Sequence, residues 1–283
     1  MMQAGMALDK RRPEKTTLLL FEEPENHLSH ANLNRLIRLI EDGADGRKVV
    51  MTTHSSYVAN VLGLENLRIV SSIEGQTFCS PLTSLDPDTL NYFKRLPGYD
   101  TLRLVLATSA VLVEGPSDEL VVQLAYRQAH EGKLPIEDGV DVISVGSGFL
   151  RFLELADAAK RRVLVLTDND GKPAALHKKY RSYDTHPSIR VCFVEEAYDP
   201  NDPNGVDPDK KLNWNTLEAE VIRKNGMTQV NALLNKTYPD EASLLKYMEN
   251  NKTEVALKLF DARTPVEIPD YITSGLDWLD SGW

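Results

Sequence analysis

Four carboxylates beyond residue 107 stand where strands end and helices begin. Ala110-Val111-Leu112-Val113-Glu114-Gly115-Pro116-Ser117-Asp118 closes an apolar run on Glu114, turns at Gly-Pro and sets Asp118 in the first turn of a helix. Leu164-Val165-Leu166-Thr167-Asp168-Asn169-Asp170-Gly171 closes another run on Asp168 and Asp170. Ligands of open α/β sheets bind outside the carboxyl ends of strands, so these acids point to one reaction centre. Two unpaired carboxylates ~4 Å apart repel by about 4 kcal/mol at an effective dielectric of 20. A cluster of four needs a cation to stay ionised, and Mg²⁺ or Mn²⁺ suits carboxylate oxygens.

A second pair of acids lies near the start. Leu18-Leu19-Leu20-Phe21-Glu22-Glu23 is an apolar strand ending in two carboxylates, and Thr52-Thr53-His54-Ser55 follows the next strand. Nucleotide hydrolases use one strand-end acid for the Mg²⁺ shell and another beside the attacking water. No G-x-x-x-x-G-K-[ST] phosphate loop occurs, and Gly43-Ala44-Asp45-Gly46-Arg47-Lys48 fails the spacing. The expectation is half of an ATP site: the chain reads as the C-terminal part of a longer protein, and alone it should not hydrolyse ATP.

The elements that must hold these groups alternate between strand and helix, the pattern of an α/β protein with a mostly parallel sheet. In residues 1–107 the pattern predicts strands Thr16–Phe21 and Lys48–Thr52, helices Ala31–Glu41 and Ser55–Leu62, a hairpin of Leu67–Val70 with Thr77–Leu82, and a helical connector Asp86–Ala107. In residues 108–283 it predicts strands Ala110–Val113, Val140–Val145, Val163–Leu166 and Ile189–Val194, with helices Asp118–His130 and Phe149–Lys160. Asp199–Lys211, rich in proline and aspartate, reads as a loop. From residue 212 the chain reads helical: Leu217–Asn225, Met227–Asn235, Asp240–Asn250 and Thr253–Asp261. Gly146-Ser147-Gly148 reads as a simple turn. Lys160-Arg161-Arg162, Lys172, Lys178, Lys179 and Arg181 flank the Asp168 strand, as a phosphate-tracking groove requires.

Pro24-Glu25-Asn26-His27-Leu28 behind the first strand resembles the Walker B and D-loop run of ABC-type ATPases. The resemblance makes Glu23 the catalytic glutamate and His54 the switch histidine. Glu22 stands where the first acid is usually Asp. The later segments resemble the E-G-x-x-D and D-x-D motifs of Toprim domains. An ABC-type tail followed by a Toprim domain resembles the OLD (overcoming lysogenization defect) nucleases. Their T-L-E run matches Glu218 in Trp214-Asn215-Thr216-Leu217-Glu218, and their late lysine matches Lys252. The family implies an endonuclease using two-metal phosphodiester hydrolysis. Its ligands would be Glu114, Asp118, Asp168, Asp170 and Glu218, with Lys252 offsetting charge on the phosphate. It further implies DNA as substrate, ATP regulation and a homo-oligomer formed through the ATPase domain in the full-length protein, and a role in phage defence or DNA processing. A helicase-like partner, as in the Gabija type, belongs to the same picture. Two other readings remain open: an ATP-responsive DNA clamp of the RecF or SMC kind, and a topoisomerase- or primase-like Toprim enzyme.

Composition narrows the classes. The 283 residues carry 32 basic and 42 acidic side chains, a net charge of −10, so a DNA coat protein is disfavoured while a local basic channel is not. The 2 cysteines, Cys79 and Cys192, argue against a disulfide framework and fit a reducing cytoplasm. No apolar run approaches the ~20 residues of a membrane span.

Overall fold

The computed structural model describes residues 18–282 except 27, 44–47, 56–57, 59–61, 74, 83–84, 96–99 and 200–211. The chain divides into two compact units, Met1–Leu102 and Arg103–Trp283.

In the first unit, β1 (Leu18–Glu22) pairs in parallel with β2 (Lys48–Thr52), Leu18 opposite Lys48 and Glu22 opposite Thr52. Helix α1 (His30–Gly43) turns Leu33 and Ile37 inward, where they pack with Val58, Met51 and Leu62. β3 (Arg68–Ile73) and β4 (Gln76–Pro81) form the antiparallel hairpin, with Gly75 at φ 78° in its turn. Leu18, Leu20 and Val50 are exposed, so among the described residues the β1–β2 pair is clothed on one side only. The connector is two helices, α2 (Pro87–Arg95) and α3 (Asp100–Leu106). Pro97 and Gly98, which break a helix by fixing φ and by flexibility, fall among the undescribed residues between them. The expected Ser55–Leu62 helix and Asp199–Lys211 loop lie almost wholly outside the described residues, as do residues 16 and 17 of the first strand.

The second unit holds a four-stranded, all-parallel sheet in the order β6-β5-β7-β8. The strands are β5 (Ser109–Val113), β6 (Val140–Ser144), β7 (Arg162–Leu166) and β8 (Ile189–Cys192). β5 and β7 are buried almost throughout, as central parallel strands must be. Four helices follow in the βα pattern: α4 (Pro116–Ala129), α5 (Phe149–Ala158) and, beyond β7, α6 (Pro173–Tyr180), then α7 (Leu217–Asn225) after β8. Pro116 opens α4 at its first position, where a missing N–H costs nothing. α8 (Met227–Leu234), α9 (Glu241–Asn250), α10 (Lys252–Phe260) and α11 (Asp270–Asp280) complete the unit. Their apolar faces join α4 and the sheet in one core that includes Val113, Leu166, Leu217, Leu245, Val255 and Leu276. The chain leaves β5 for β6 on one side and reaches β7 on the other. That reversal opens the crevice between the carboxyl ends of β5 and β7, where ligands of such sheets bind. Among the described residues no helix is long and apolar enough to cross a membrane.

Candidate metal centre

Strand register delivers the first two acids together. Leu112 pairs with Val165, so Glu114 comes level with Thr167. The buried Thr167 hydroxyl donates to Glu114 Oε1 at 2.8 Å, and Asp168 follows at once on the same turn. Asn169, 3% exposed, pins that turn: its Nδ2 donates to the carbonyls of Val194 and Glu196, and its Oδ1 accepts the Gly171 N–H.

Four helices bring their first turns to the same place. Asp118 in α4 accepts the Gly115 N–H at 3.0 Å. The N–H of Leu217, the first residue of α7, bonds to Asp168, and Glu218 follows, 4% exposed. α10 runs along α4, tied at the far end by Arg127, which lies 4.0 Å from the Phe260 ring centre. At the near end it begins with Lys252, whose Nζ stands 3.2 Å from Glu218 Oε2. Tyr271 comes from the first turn of α11. Helix N-termini carry partial positive charge and favour carboxylates nearby.

The acids share one field. Burial, then the charge of Glu218, pushes Asp118 up to about 6, with Glu114 adding to the rise and the Gly115 N–H and Lys252 opposing it. Burial, then Asp118, Glu218 and Glu114, hold Asp168 well above the usual carboxylate range. Burial pulls the Lys252 ammonium down, but the ion pair with Glu218 and the charges of Asp168 and Asp118 leave it raised overall. Glu249, at the end of α9, is also raised, by burial and then by Glu218. The Glu218 Oε2 atom is buried, with Lys252 Nζ 3.2 Å away as its close partner.

Glu114, Asp118, Asp168, Glu218 and Lys252 therefore meet. Asp170 sits apart from this coupled set: its backbone is left-handed at φ 48°, its side chain is exposed, and Asn213 Nδ2 donates to its Oδ1 at 2.7 Å. Sequence reasoning missed Thr167, Glu249, Tyr271 and Tyr180. The Tyr180 hydroxyl is buried without a hydrogen-bond partner, and burial and Glu114 raise its ionisation. Only Thr167, a lone polar residue closing an apolar run beside Asp168, carried a local signal. The basic run divides: Lys172, Lys178, Lys179 and Arg181 are exposed, but Arg162 is buried against Trp278 and Arg161 Nε donates to the Val105 carbonyl. These two arginines serve the core rather than an open groove.

Among the described residues no three acid, histidine or cysteine side chains already close around one point as an ion's ligands do. The donor set nonetheless fits a hard divalent cation. It is all oxygen, burial and neighbouring acids raise both Asp118 and Asp168, and the buried Glu218 Oε2 stands beside the Lys252 ammonium.

In the first unit Glu23 and His54 also meet, Nε2 to Oε1 at 3.3 Å, with the His54 side chain 87% exposed. Asn26 Nδ2 donates to Glu23 Oε2 at 2.8 Å. Glu22 ends β1 with an exposed side chain. Glu25, part of the D-loop run but given no role by the sequence, ties the turn after β1 to the exit of β2. Its Oε1 accepts from the Thr53 hydroxyl at 2.5 Å and from the backbone N–H groups of His54 and Ser55. Burial raises its carboxyl, but those bonds together hold it below its ordinary value.

Two family models match the chain. The OLD-like Toprim model (overcoming lysogenization defect protein-like, TOPRIM domain) matches residues 105–170, which include Glu114, Asp118, Asp168 and Asp170. The chain carries an OLD-like Toprim domain. An AAA domain model, whose description names the AbiEii toxin of a type IV toxin–antitoxin system, matches residues 7–60, so the Toprim domain follows an ATPase-domain tail. No curated protein matches. Among solved structures, the C-terminal region of the Burkholderia pseudomallei OLD protein is similar, with 17% identity and a TM-score of 0.45 over 62% of this chain and 98% of that one. Toprim domains generally bind divalent metal ions.

Proposed function

We propose that the Toprim domain is a DNA endonuclease that depends on divalent metal and hydrolyses phosphodiesters with two ions, Mg²⁺ or Mn²⁺. The observation that carries this reading is the shared field of Glu114, Asp118, Asp168 and Glu218, which raises both Asp118 and Asp168. Those four side chains would hold the ions, with Asp170 a further ligand candidate on the open side of its turn. When bound, the ions supply Lewis acidity at the scissile phosphate and a more acidic attacking water. The chain's own groups do the rest. Thr167 orients Glu114, the Leu217 N–H orients Asp168, and Lys252 neutralises Glu218 and lies where it can meet phosphate charge. The exposed Lys172, Lys178, Lys179 and Arg181 provide cations for a phosphate backbone.

In this reading the first unit, with Glu22, Glu23 and His54, belongs to an ATP site that regulates the nuclease in the full-length protein. A homo-oligomer formed through the ATPase domain, a helicase-like partner and a part in phage defence or DNA processing extend the same proposal. The test is plasmid cleavage by the purified chain without ATP. Nicked or linear product is expected with Mg²⁺ or Mn²⁺ and none in EDTA. Equal cutting in EDTA removes the metal reading, unlinked topoisomers in place of cut product favour a topoisomerase, and no change in the plasmid favours a non-enzymatic clamp.

A further inference from the structure

Three asparagines close a circuit of hydrogen bonds around the turn that carries Asp168 and Asp170. Asn169 Nδ2 donates to the carbonyls of Val194 and Glu196, tying the turn to the stretch that follows β8. Further along that stretch, the Tyr198 N–H donates to Asn215 Oδ1 at 2.7 Å, and Asn215 Nδ2 donates to the Tyr198 carbonyl at 2.9 Å. Asn215 is buried, and this two-bond pairing fixes the segment that leads into α7. Asn213 Oδ1 accepts the Asn215 N–H at 3.0 Å, the local turn that asparagine favours. That bond settles which end of the Asn213 amide points where. With its oxygen on Asn215, its Nδ2 donates to Asp170 Oδ1 at 2.7 Å and closes the circuit.

We propose that Asn213 is the positioning residue of Asp170, holding its carboxylate by one oxygen so that it meets a divalent ion already oriented. This rests on the metal-dependent reading above and extends it to a residue outside the motifs. Asp170 has a left-handed backbone at φ 48° and an exposed side chain, and an exposed side chain samples several rotamers. One donor on Oδ1 selects an orientation, and a carboxylate so held keeps its second oxygen as an acceptor. The donor is itself held, because the circuit returns through Asn215, Tyr198 and Asn169 to the turn that Asp170 stands on. The same segment serves the other acid of the turn, since the Leu217 N–H bonds to Asp168. Removing a group that orients a metal ligand typically costs about 10–100-fold in metal affinity or activity.

The test is Mn²⁺ binding by the whole chain, measured calorimetrically for wild type, Asn213→Ser and Asp170→Ala, beside plasmid cleavage and melting in EDTA. Serine keeps an oxygen that can accept the Asn215 N–H, so the local turn survives, while the donor that reaches Asp170 is withdrawn. The expected result is that Asn213→Ser weakens by about tenfold the same Mn²⁺ binding step that Asp170→Ala weakens or removes. Cutting should slow, and the melting midpoint of Asn213→Ser in EDTA should not change. Equal or tighter Mn²⁺ binding by Asn213→Ser overturns its role and leaves the nuclease reading standing. So does an Asp170→Ala variant that binds Mn²⁺ as wild type does, or an effect of Asn213→Ser on a different step. An Asn213→Ser chain that fails to fold, or melts lower in EDTA, also overturns the role, since the amide would then be serving the fold. Wild type that binds Mn²⁺ with these variant effects but cuts nothing removes the nuclease reading and keeps Asn213 as the guide of Asp170. Wild type that binds no Mn²⁺ overturns both.

Discussion

At the end of β1, Glu23 holds its carboxylate in partly open water, bonded by Asn26 and facing an exposed His54. At the ends of β5 and β7, Glu114 and Asp168 stand among two more acids, and burial and mutual repulsion raise Asp118 and Asp168. The two places begin from the same local device, an apolar parallel strand ending in a carboxylate. They differ in what surrounds it. The β1–β2 pair leaves Leu18 and Leu20 exposed, and water screens the charges beyond it. β5 and β7 lie inside a four-stranded sheet covered by helices, and four helix N-termini close on their ends. Low local dielectric turns an acid pair into a strained one. A strand-end acid becomes poised for cation chemistry through the layer built around it, not through its motif alone.

The largest effect expected from this contrast is at Asp168. Asp168→Asn keeps the shape and an acceptor for the Leu217 N–H while removing the charge. Without metal it relieves repulsion from Asp118, Glu218 and Glu114, so the melting midpoint in EDTA should rise. With Mg²⁺ the change deletes a ligand, so cleavage should fall to background and the gain in melting midpoint should shrink or reverse. Scanning calorimetry and plasmid cleavage, each with and without Mg²⁺, check both signs. Cutting at the wild-type rate would remove Asp168 from the centre.

A smaller effect is expected from Asp118, and its dependence on pH sharpens the comparison. Folding moves this carboxyl from an ordinary value of 3.8 to about 6. The folded state therefore binds the proton more tightly than the unfolded chain does. Stability contributed by the protonated group is fully present below about pH 4 and is lost as pH rises through about 6. At ~1.4 kcal/mol per tenfold in the ionisation constant, the ceiling is about 3 kcal/mol. Asp118→Asn lacks this titration. Measured in EDTA, its stability relative to wild type should be near level at pH 4, climb to about pH 6.5, and then stay flat. A difference that is constant across this range would show that Asp118 is not strained by its neighbours.

Much of this centre was legible because it lies on local patterns. Glu114 and Asp168 end apolar runs, and Asp118 follows a Gly-Pro turn that starts a helix. The parallel sheet followed from strand–helix alternation. Glu218 and Lys252 were legible only through the family resemblance, since a charged residue in a helix's first turn is ordinary. Tyr271 was not legible at all. Its place depends on the close approach of Gly275 to Leu164 and Leu166, more than a hundred residues away in sequence. Glu249 reaches Glu218 only through the packing of α9 against α7. The basic run misled in part, because Arg162 reads as a surface charge yet closes the core by stacking on Trp278. α6 and α11, short helices opened by Pro173 and preceded by Pro269, were missed for want of long periodic stretches.

The smallest effect is expected at the more open strand end. Glu23→Gln replaces one acceptor by another of the same shape, so Asn26 Nδ2 keeps a partner. It removes a charge that faces His54, whose side chain is 87% exposed, and exposed pairs of this kind contribute about 0–1 kcal/mol. The partners of Glu23, Asn26 and His54, lie in its own unit. Metal-dependent cutting by this chain without ATP should therefore stay within about twofold of wild type, and stability within about 0.5 kcal/mol, as for most surface substitutions. Set beside background cutting by Asp168→Asn, that result would assign cleavage to the Toprim domain and leave Glu23 to nucleotide. A tenfold fall in cutting by Glu23→Gln, at unchanged melting, would break the contrast, because the first unit would then shape the chemistry of the second even without nucleotide.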